Sequence, residues 1–243
     1  MRVLTAIYAH PDDETFSAGG SLARYSTEGV KITLLCATDG DAGKTSGLQV
    51  SSRSELAAIR RNELQAAAKI LGIHRVESLG LPDGSLADVD QDTLISRIVA
   101  HIRREKPQVI VTFGPEGAPN THRDHRAVSR AATAAFFLAA NPTMFADQLR
   151  DETRAHAAAR LYYVAWPPPK PGGDMKAQSV PATARIDVRR FRAQEDAAWR
   201  AHLSQHALQR RYEEYAATDE ELFALAAGIS QPTTIVEDLF AGL

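Results

Sequence analysis

The chain has 243 residues, 44% hydrophobic and 24% charged, enough for one large domain with a sizeable core. Its 28 Lys and Arg against 30 Asp and Glu leave a formal charge of −2, which gives no electrostatic basis for a nucleic acid or anionic-membrane partner. No apolar run approaches the roughly 20 residues of a membrane span, the N-terminal stretch lacks a signal-peptide pattern, and a single cysteine, Cys36, excludes an internal disulfide or a thiolate-rich metal cluster. The expectation is a cytoplasmic protein that binds metal, if at all, through histidine and carboxylate.

Residues 3–9 read as a buried strand that stops at His10-Pro11. A helix is predicted from near Thr15 or Ser17 to Glu28 and closed by Gly29, followed by a strand over 30–37 and a loop over 38–43. Residues 52–71 carry the longest helical pattern of the first half, ended by Gly72. Next come a strand over 75–79, a turn over 81–84, a helix over 92–105 and a strand over 109–113. Beyond these, 127–140 reads as a helix, 161–165 and 184–188 as strands, 166–173 as a stiff proline-rich loop, and 193–215 as one long polar-faced helix. The alternation predicts a Rossmann-like, doubly wound α/β fold: a mostly parallel sheet with helices on both faces. We expect a single domain over 1–243, with a regular core over 1–140 and an irregular part over 141–243 that contributes to the substrate pocket. Ligands of such sheets sit beyond the carboxyl ends of the strands, so the loops to inspect are 10–14, 39–44, 81–84 and 114–125.

Two of those loops concentrate ionisable groups. In Ala9-His10-Pro11-Asp12-Asp13-Glu14 the crowding repels itself unless a cation or a tight hydrogen-bond network holds it. Glu14 fits a plainer role, capping the following helix. In Asn120-Thr121-His122-Arg123-Asp124-His125 the two histidines are three apart, so a helical turn points them the same way, and Asp124 can fix the tautomer of an imidazole. Both segments fall on the same edge of the predicted sheet. Elsewhere, His202 and His206 lack a third ligand, and packing or pocket lining is the reading for His202. His74, His101 and His156 read as surface, Cys36 as core, and Arg210, Arg211, Glu213 and Glu214 as a solvated face.

These residues give the sequence a resemblance to the PIG-L/LmbE-like de-N-acetylases, metal-dependent enzymes that remove acetyl from N-acetylglucosamine conjugates. The likeness rests on AHPDDE at 9–14 and H-x-D-H at 122–125. Weaker matches at 38–43, 60–72, 81–84 and 201–205 support it. The resemblance implies that His10, Asp13 and His125 bind Zn2+ (or another divalent metal), that Asp12 is the general base, and that His122 stabilises the oxyanion or protonates the leaving amine while Asp124 orients it. It also implies that Arg60 and Asp83 meet the substrate near the pocket mouth. The residue-level alternatives are a surface ion pair of Arg60 with Glu63 and a plain Pro-Asp-Gly turn at Asp83; Asp39-Gly40 is likewise a turn signal. Some relatives carry a tyrosine where this chain has Asn120, which is a candidate substrate contact here; Tyr162, Tyr163 or the 167–173 loop are the candidates to replace it.

The expected chemistry is hydrolysis of the acetamide by a zinc-activated water with an Asp base, on a small acetylated amino-sugar substrate. A zinc amidase acting on thiol-conjugate amides, or a non-catalytic sugar- or metal-binding module, are the alternatives. No nucleic acid or membrane partner is expected; a homo-oligomer stays open.

Overall fold

In the computed structural model, which describes residues 1–117, 119–151, 153–167, 179–216, 218–230 and 234–243, strand and helix alternate through the first half. The elements there are β1 (Val3–Tyr8), α1 (Asp13–Thr27), β2 (Lys31–Thr38), α2 (Arg53–Leu71), β3 (Arg75–Leu81), α3 (Gln91–Glu105), β4 (Val109–Phe113) and α4 (Arg123–Leu138). The second half adds β5 (Arg160–Ala165), β6 (Ala184–Asp187), α5 (Arg192–Ala201), α6 (Gln209–Ala216) and β7 (Glu220–Gly228).

All seven strands form one sheet in the order β3-β2-β1-β4-β5-β7-β6. The first five are parallel to one another, while β7 pairs antiparallel with both β5 and β6. Every residue of β1 and of β4 is buried, as suits mostly apolar strands covered on both faces, and their two threonines, Thr5 and Thr112, have hydrogen-bonded hydroxyls. Helices α1, α2 and α5 pack together, as do α3 and α4. Right-handed crossovers place the two groups on opposite faces. The chain winds outward from β1 to β2 and β3, then returns across to β4, so the loops after β1 and β4 diverge. That is the crevice where α/β sheets bind ligands. No helix among the described residues is long and apolar enough to cross a membrane.

Several boundaries follow local signals. Ser52 caps α2 by accepting the Glu55 N–H at 3.1 Å, and Gly72 ends it with φ 74°, a left-handed conformation glycine adopts without steric cost. Two helices begin earlier than predicted. Helix α1 starts at Asp13 and α4 at Arg123, which puts Asp13, Asp124 and His125 in first helical turns. Helix α1 is also interrupted at Ala18 (φ −157°), and the Glu221 carboxylate of β7 accepts the N–H groups of Gly20 and Ser21 at 2.8 and 2.9 Å.

One expectation for the second half is corrected. The helix predicted over 193–215 is broken at His202 into α5, a 3-10 segment (Leu203–Leu208) and α6. Nothing in the local sequence stops it; Glu63 on α2 does, taking the Ser204 N–H at 2.8 Å and its hydroxyl at 2.6 Å. The alanine-rich strand β7 has no clear alternation and lies between two strands that precede it in sequence. His101 is not at the surface: it is fully buried against the sheet, with Nδ1 2.7 Å from Glu77 Oε2. His156 is half-buried with Nε2 2.7 Å from the Pro107 carbonyl, His74 is exposed, and Cys36 lies in the core.

Candidate active site

The segments after β1 and β4 meet over a cavity of 390 Å³, within the ~300–1,000 Å³ range of small-ligand sites. Its floor holds His10, Asp12, Asp13, Asp83, His122 and His125. The mouth includes Phe16 and Lys44 from the first half and Gln205, Leu208 and Arg211 from the second. Arg211 thus leaves the solvated face on which the sequence placed it, whereas Arg210, Glu213 and Glu214 remain exposed.

Asp13 lies at the centre. One carboxylate oxygen is 3.3 Å from His10 Nδ1 and the other is 3.3 Å from His125 Nε2. Burial opposes the Asp13 charge, but the neighbouring His125 and His10 hold the carboxyl well below its ordinary range. Asp13 also accepts the His10 backbone N–H at 2.7 Å. The far side of His10 is committed elsewhere: Nε2 is 3.1 Å from Asp83 Oδ1 and 3.3 Å from Asp124 Oδ2. Both ring nitrogens thus face carboxylates, and Asp83 and Asp124 are the partners that keep the Nε2 proton when Nδ1 is given to a cation. Burial alone would lower the His10 pKa; hydrogen bonds to Asp124 and Asp13 raise it well above its ordinary value. His125 is fixed by stacking on Phe113, ring centroids 3.9 Å apart and planes within 4°.

This donor set fits a divalent cation. Zinc bonds of ~2.0–2.1 Å at tetrahedral angles put neighbouring donors about 3.3 Å apart, the distance of each imidazole from one Asp13 oxygen, a different oxygen for each. Nitrogens of His10, His122 and His125 fall within 4.8 Å of one another, as do donors of His10, Asp83 and Asp124. The latter group is a hydrogen-bonded support: Asp83 also takes the Ala42 N–H at 2.7 Å, and Asp124 takes those of Gly84 (2.7 Å) and Leu86 (3.0 Å). Burial opposes ionisation of Asp83, yet the His10 hydrogen bond brings its pKa down to about 2.

Asp124 does not orient His122 through its carboxylate, as expected from the sequence. Its backbone N–H donates to His122 Nδ1 at 3.2 Å, with His122 as the N-cap of α4. An Nδ1 that accepts a hydrogen bond leaves the proton of the neutral ring on Nε2. Burial, followed by the charges of His10 and His125, also lowers the His122 pKa. Asn120 lines the cavity, and its side-chain oxygen accepts the His122 N–H at 3.1 Å.

Asp12 has a positive φ of 119°, costly for a residue with a side chain and maintained only where the surroundings enforce it. Arg60 supplies part of that enforcement. Far from a surface pair with Glu63, it is buried, with Nη1 2.8 Å from the Gly40 carbonyl and Nη2 on the Pro11 carbonyl and 3.3 Å from Asp12 Oδ2. A Cβ at Gly40 or Gly43 would overlap the guanidinium, so the Asp-Gly-Asp-Ala-Gly loop makes room for Arg60. Burial raises the Asp12 pKa to about 6, against the pull of Arg60 and with the push of Asp13. Asp39 stands apart, bonded to Ser78 and Arg61 at 2.6 Å each.

Glu14 does more than cap a helix. It accepts the Asp12 N–H at 3.1 Å, the Thr15 hydroxyl at 2.7 Å and His202 Nε2 at 2.8 Å, all inside the protein. His202 is buried there and is not among the residues lining the cavity, so of the two roles the sequence offered, packing or pocket lining, it packs. Burial opposes both charges, but the pair prevails: Glu14 is lowered and His202 raised. Tyr162 is buried in β5 and Tyr163 bonds Thr133 at 2.7 Å, so neither replaces the tyrosine at the Asn120 position. Trp166 and Pro167 line a separate 110 Å³ cavity, and 168–173 lie outside the described residues.

Fold and site together define an α/β protein with a histidine–carboxylate centre at the switch point of its sheet. A sequence model of the family described as PIG-L, GlcNAc-PI de-N-acetylase, matches residues 5–136. The 1D-myo-inositol 2-acetamido-2-deoxy-alpha-D-glucopyranoside deacetylase of Rhodococcus erythropolis is 30% identical, over 99% of this chain and 97% of its own. The chain belongs to the PIG-L family. The N,N'-diacetylchitobiose deacetylase of Pyrococcus horikoshii shares the fold, with a TM-score of 0.75 at 21% identity, over 96% of this chain and 88% of that one. So does the 4-carboxy-2-hydroxymuconate hydratase of Pseudomonas putida, with a TM-score of 0.69 at 19% identity, over 96% of this chain and 99% of that one. The fold alone therefore does not fix the reaction.

Proposed function

We propose that the protein is a zinc-dependent de-N-acetylase that removes the acetyl group from a small N-acetylglucosamine conjugate. One observation carries the reading: Asp13 lies 3.3 Å from His10 Nδ1 and from His125 Nε2 on a cavity floor where Asp83 and Asp124 hold the other nitrogen of His10. His10, Asp13 and His125 would hold the cation. When bound, it supplies Lewis acidity, polarising the acetamide carbonyl and lowering the pKa of a water from 15.7 to about 7.

The chain supplies the rest. Asp12, held at the floor by Arg60, takes a proton from the attacking water, and its tendency to titrate near neutrality suits a base that must also release that proton. The neutral His122 presents Nε2–H toward the cavity and donates to the acetyl oxygen as negative charge develops on it. Protonated Asp12 then returns its proton to the leaving amine. The N-acetylglucosamine class is supported by the printed activity of the Rhodococcus relative.

The test is an amine- and acetate-release assay over N-acetylglucosamine, its oligomers, its malate glycoside and its inositol glycoside, with metal-analysed enzyme. About one zinc per chain, activity lost on chelation and activity regained with zinc are expected. Release of a cysteine conjugate from a thiol-conjugate amide, without acetate release, would favour the amidase alternative. A fully zinc-loaded protein that hydrolyses nothing in the panel would refute the reading.

A further inference from the structure

The reaction above uses no residue beyond His125, yet a buried contact joins the floor of the site to a position 188 residues further along the chain. His202 has no solvent exposure and sets Nε2 2.8 Å from Glu14 Oε1. The other Glu14 oxygen takes the Asp12 N–H at 3.1 Å. Asp12 is the residue with the costly φ of 119°, and its peptide is gripped from two sides: Glu14 holds its N–H, while Arg60 holds the preceding carbonyl of Pro11 and reaches the carboxylate. Arg60 comes from α2; the Glu14 grip depends on the C-terminal half.

His202 is itself held in place. Its N–H bonds the Trp199 carbonyl at 3.0 Å where α5 ends, and two residues on Ser204 is locked to Glu63. The helix predicted over 193–215 is thus broken at the position that brings an imidazole onto Glu14. Buried ion pairs contribute little net stability, so the fold by itself gains little from the arrangement. We infer that His202 is a positioning residue for Asp12: it fixes the Glu14 carboxylate that holds the Asp12 peptide in its unusual conformation, and so aims the Asp12 side chain into the cavity. This rests on the assignment of Asp12 as the base.

The test compares three substitutions in the full chain. Leucine at 202 fills the space without a donor. Asparagine carries a donor too short to reach Glu14, and glutamine can return an N–H to the Nε2 position. For His202→Leu and His202→Asn we expect kcat to fall about 10–100-fold, as when supporting partners of a site are removed, with KM within about twofold of wild type and metal content unchanged. His202→Gln should recover most of the loss. Hydrogen exchange at the Asp12 amide should quicken about tenfold in the first two variants and stay slow in the third. A kcat within about twofold of wild type in both His202→Leu and His202→Asn would overturn the inference. So would KM and metal content changing in step with kcat, or glutamine performing as badly as leucine. The exchange measurement needs no turnover: a wild type inactive on every glycoside would sink the functional proposal, while exchange would still decide whether His202 holds Asp12.

Discussion

Replacing Asp12 with asparagine separates catalysis from stability, because the structure assigns the two effects opposite signs. Asparagine keeps the shape of the side chain and an oxygen for the Arg60 contact at 3.3 Å, and it tolerates positive φ about as well as aspartate. What it loses is the basic carboxylate. A positioned general base contributes ~10²–10⁴-fold, so acetate release should fall by about that factor, with zinc content and KM preserved. Stability should move the other way in metal-free protein. Burial raises the Asp12 pKa from 3.8 to about 6, so the folded state holds its proton more tightly than the unfolded chain does. The resulting penalty is absent below about pH 4, grows through pH 6 and is complete above about pH 7, where it amounts to roughly 3 kcal/mol. Chelator-treated Asp12→Asn should therefore melt several degrees above wild type at pH 7.5, at about 2–4 °C per kcal/mol for a chain of this size, and lose that advantage at pH 4. Acetate release within tenfold of wild type would remove Asp12 from the base role. A lower melting temperature at pH 7.5 would refute the account of its burial.

Two other perturbations follow from the same geometry. Asp124→Asn weakens the hold on His10 Nε2 and should lower zinc affinity about 10–100-fold, read by competition with a chromophoric chelator; unchanged affinity would show that Asp124 does not orient the ligand. Glu195 is buried on α5, and burial, followed by the neighbouring Glu221, raises its pKa to about 9 against the pull of Arg192. Its folded-state pKa is raised, so stability should decline by up to ~1.4 kcal/mol per pH unit from about pH 5 to 9. Glu195→Gln should flatten that decline, whereas parallel melting curves for variant and wild type across pH 6–9 would contradict the assignment.

The parts of the fold legible in the sequence were those with local causes. Mostly apolar runs marked the central strands, and Gly29 and Gly72 marked helix ends. The site was half legible for a similar reason: residues 10–13 and 122–125 each crowd ionisable groups into one turn, and a doubly wound sheet carries both turns to the same edge. The supporting contacts were not. Asp83 lies in an ordinary-looking turn, and only the approach of β3's following loop to β1 reveals its contact with His10. Arg60 has the spacing of a helix-surface ion pair with Glu63, but each side chain turns inward to a different partner. The resemblance implies that Asp124 orients His122, whereas its carboxylate lies on His10 and two backbone N–H groups, partners that only the fold brings to it.

Periodicity and residue chemistry thus determined the alternating architecture, the edge of the sheet that matters and the two turns that crowd histidine and carboxylate there. Tertiary structure alone decided where α5 stops, which strand fills the gap between β5 and β6, and what surrounds Asp12. The physical reason is range. Helix and strand patterns arise from neighbours a few positions apart, which a linear reading contains. The conformation of Asp12 and the break at His202 depend on hydrogen bonds between residues 49 to 188 positions apart, and those exist only once the sheet has brought its loops together.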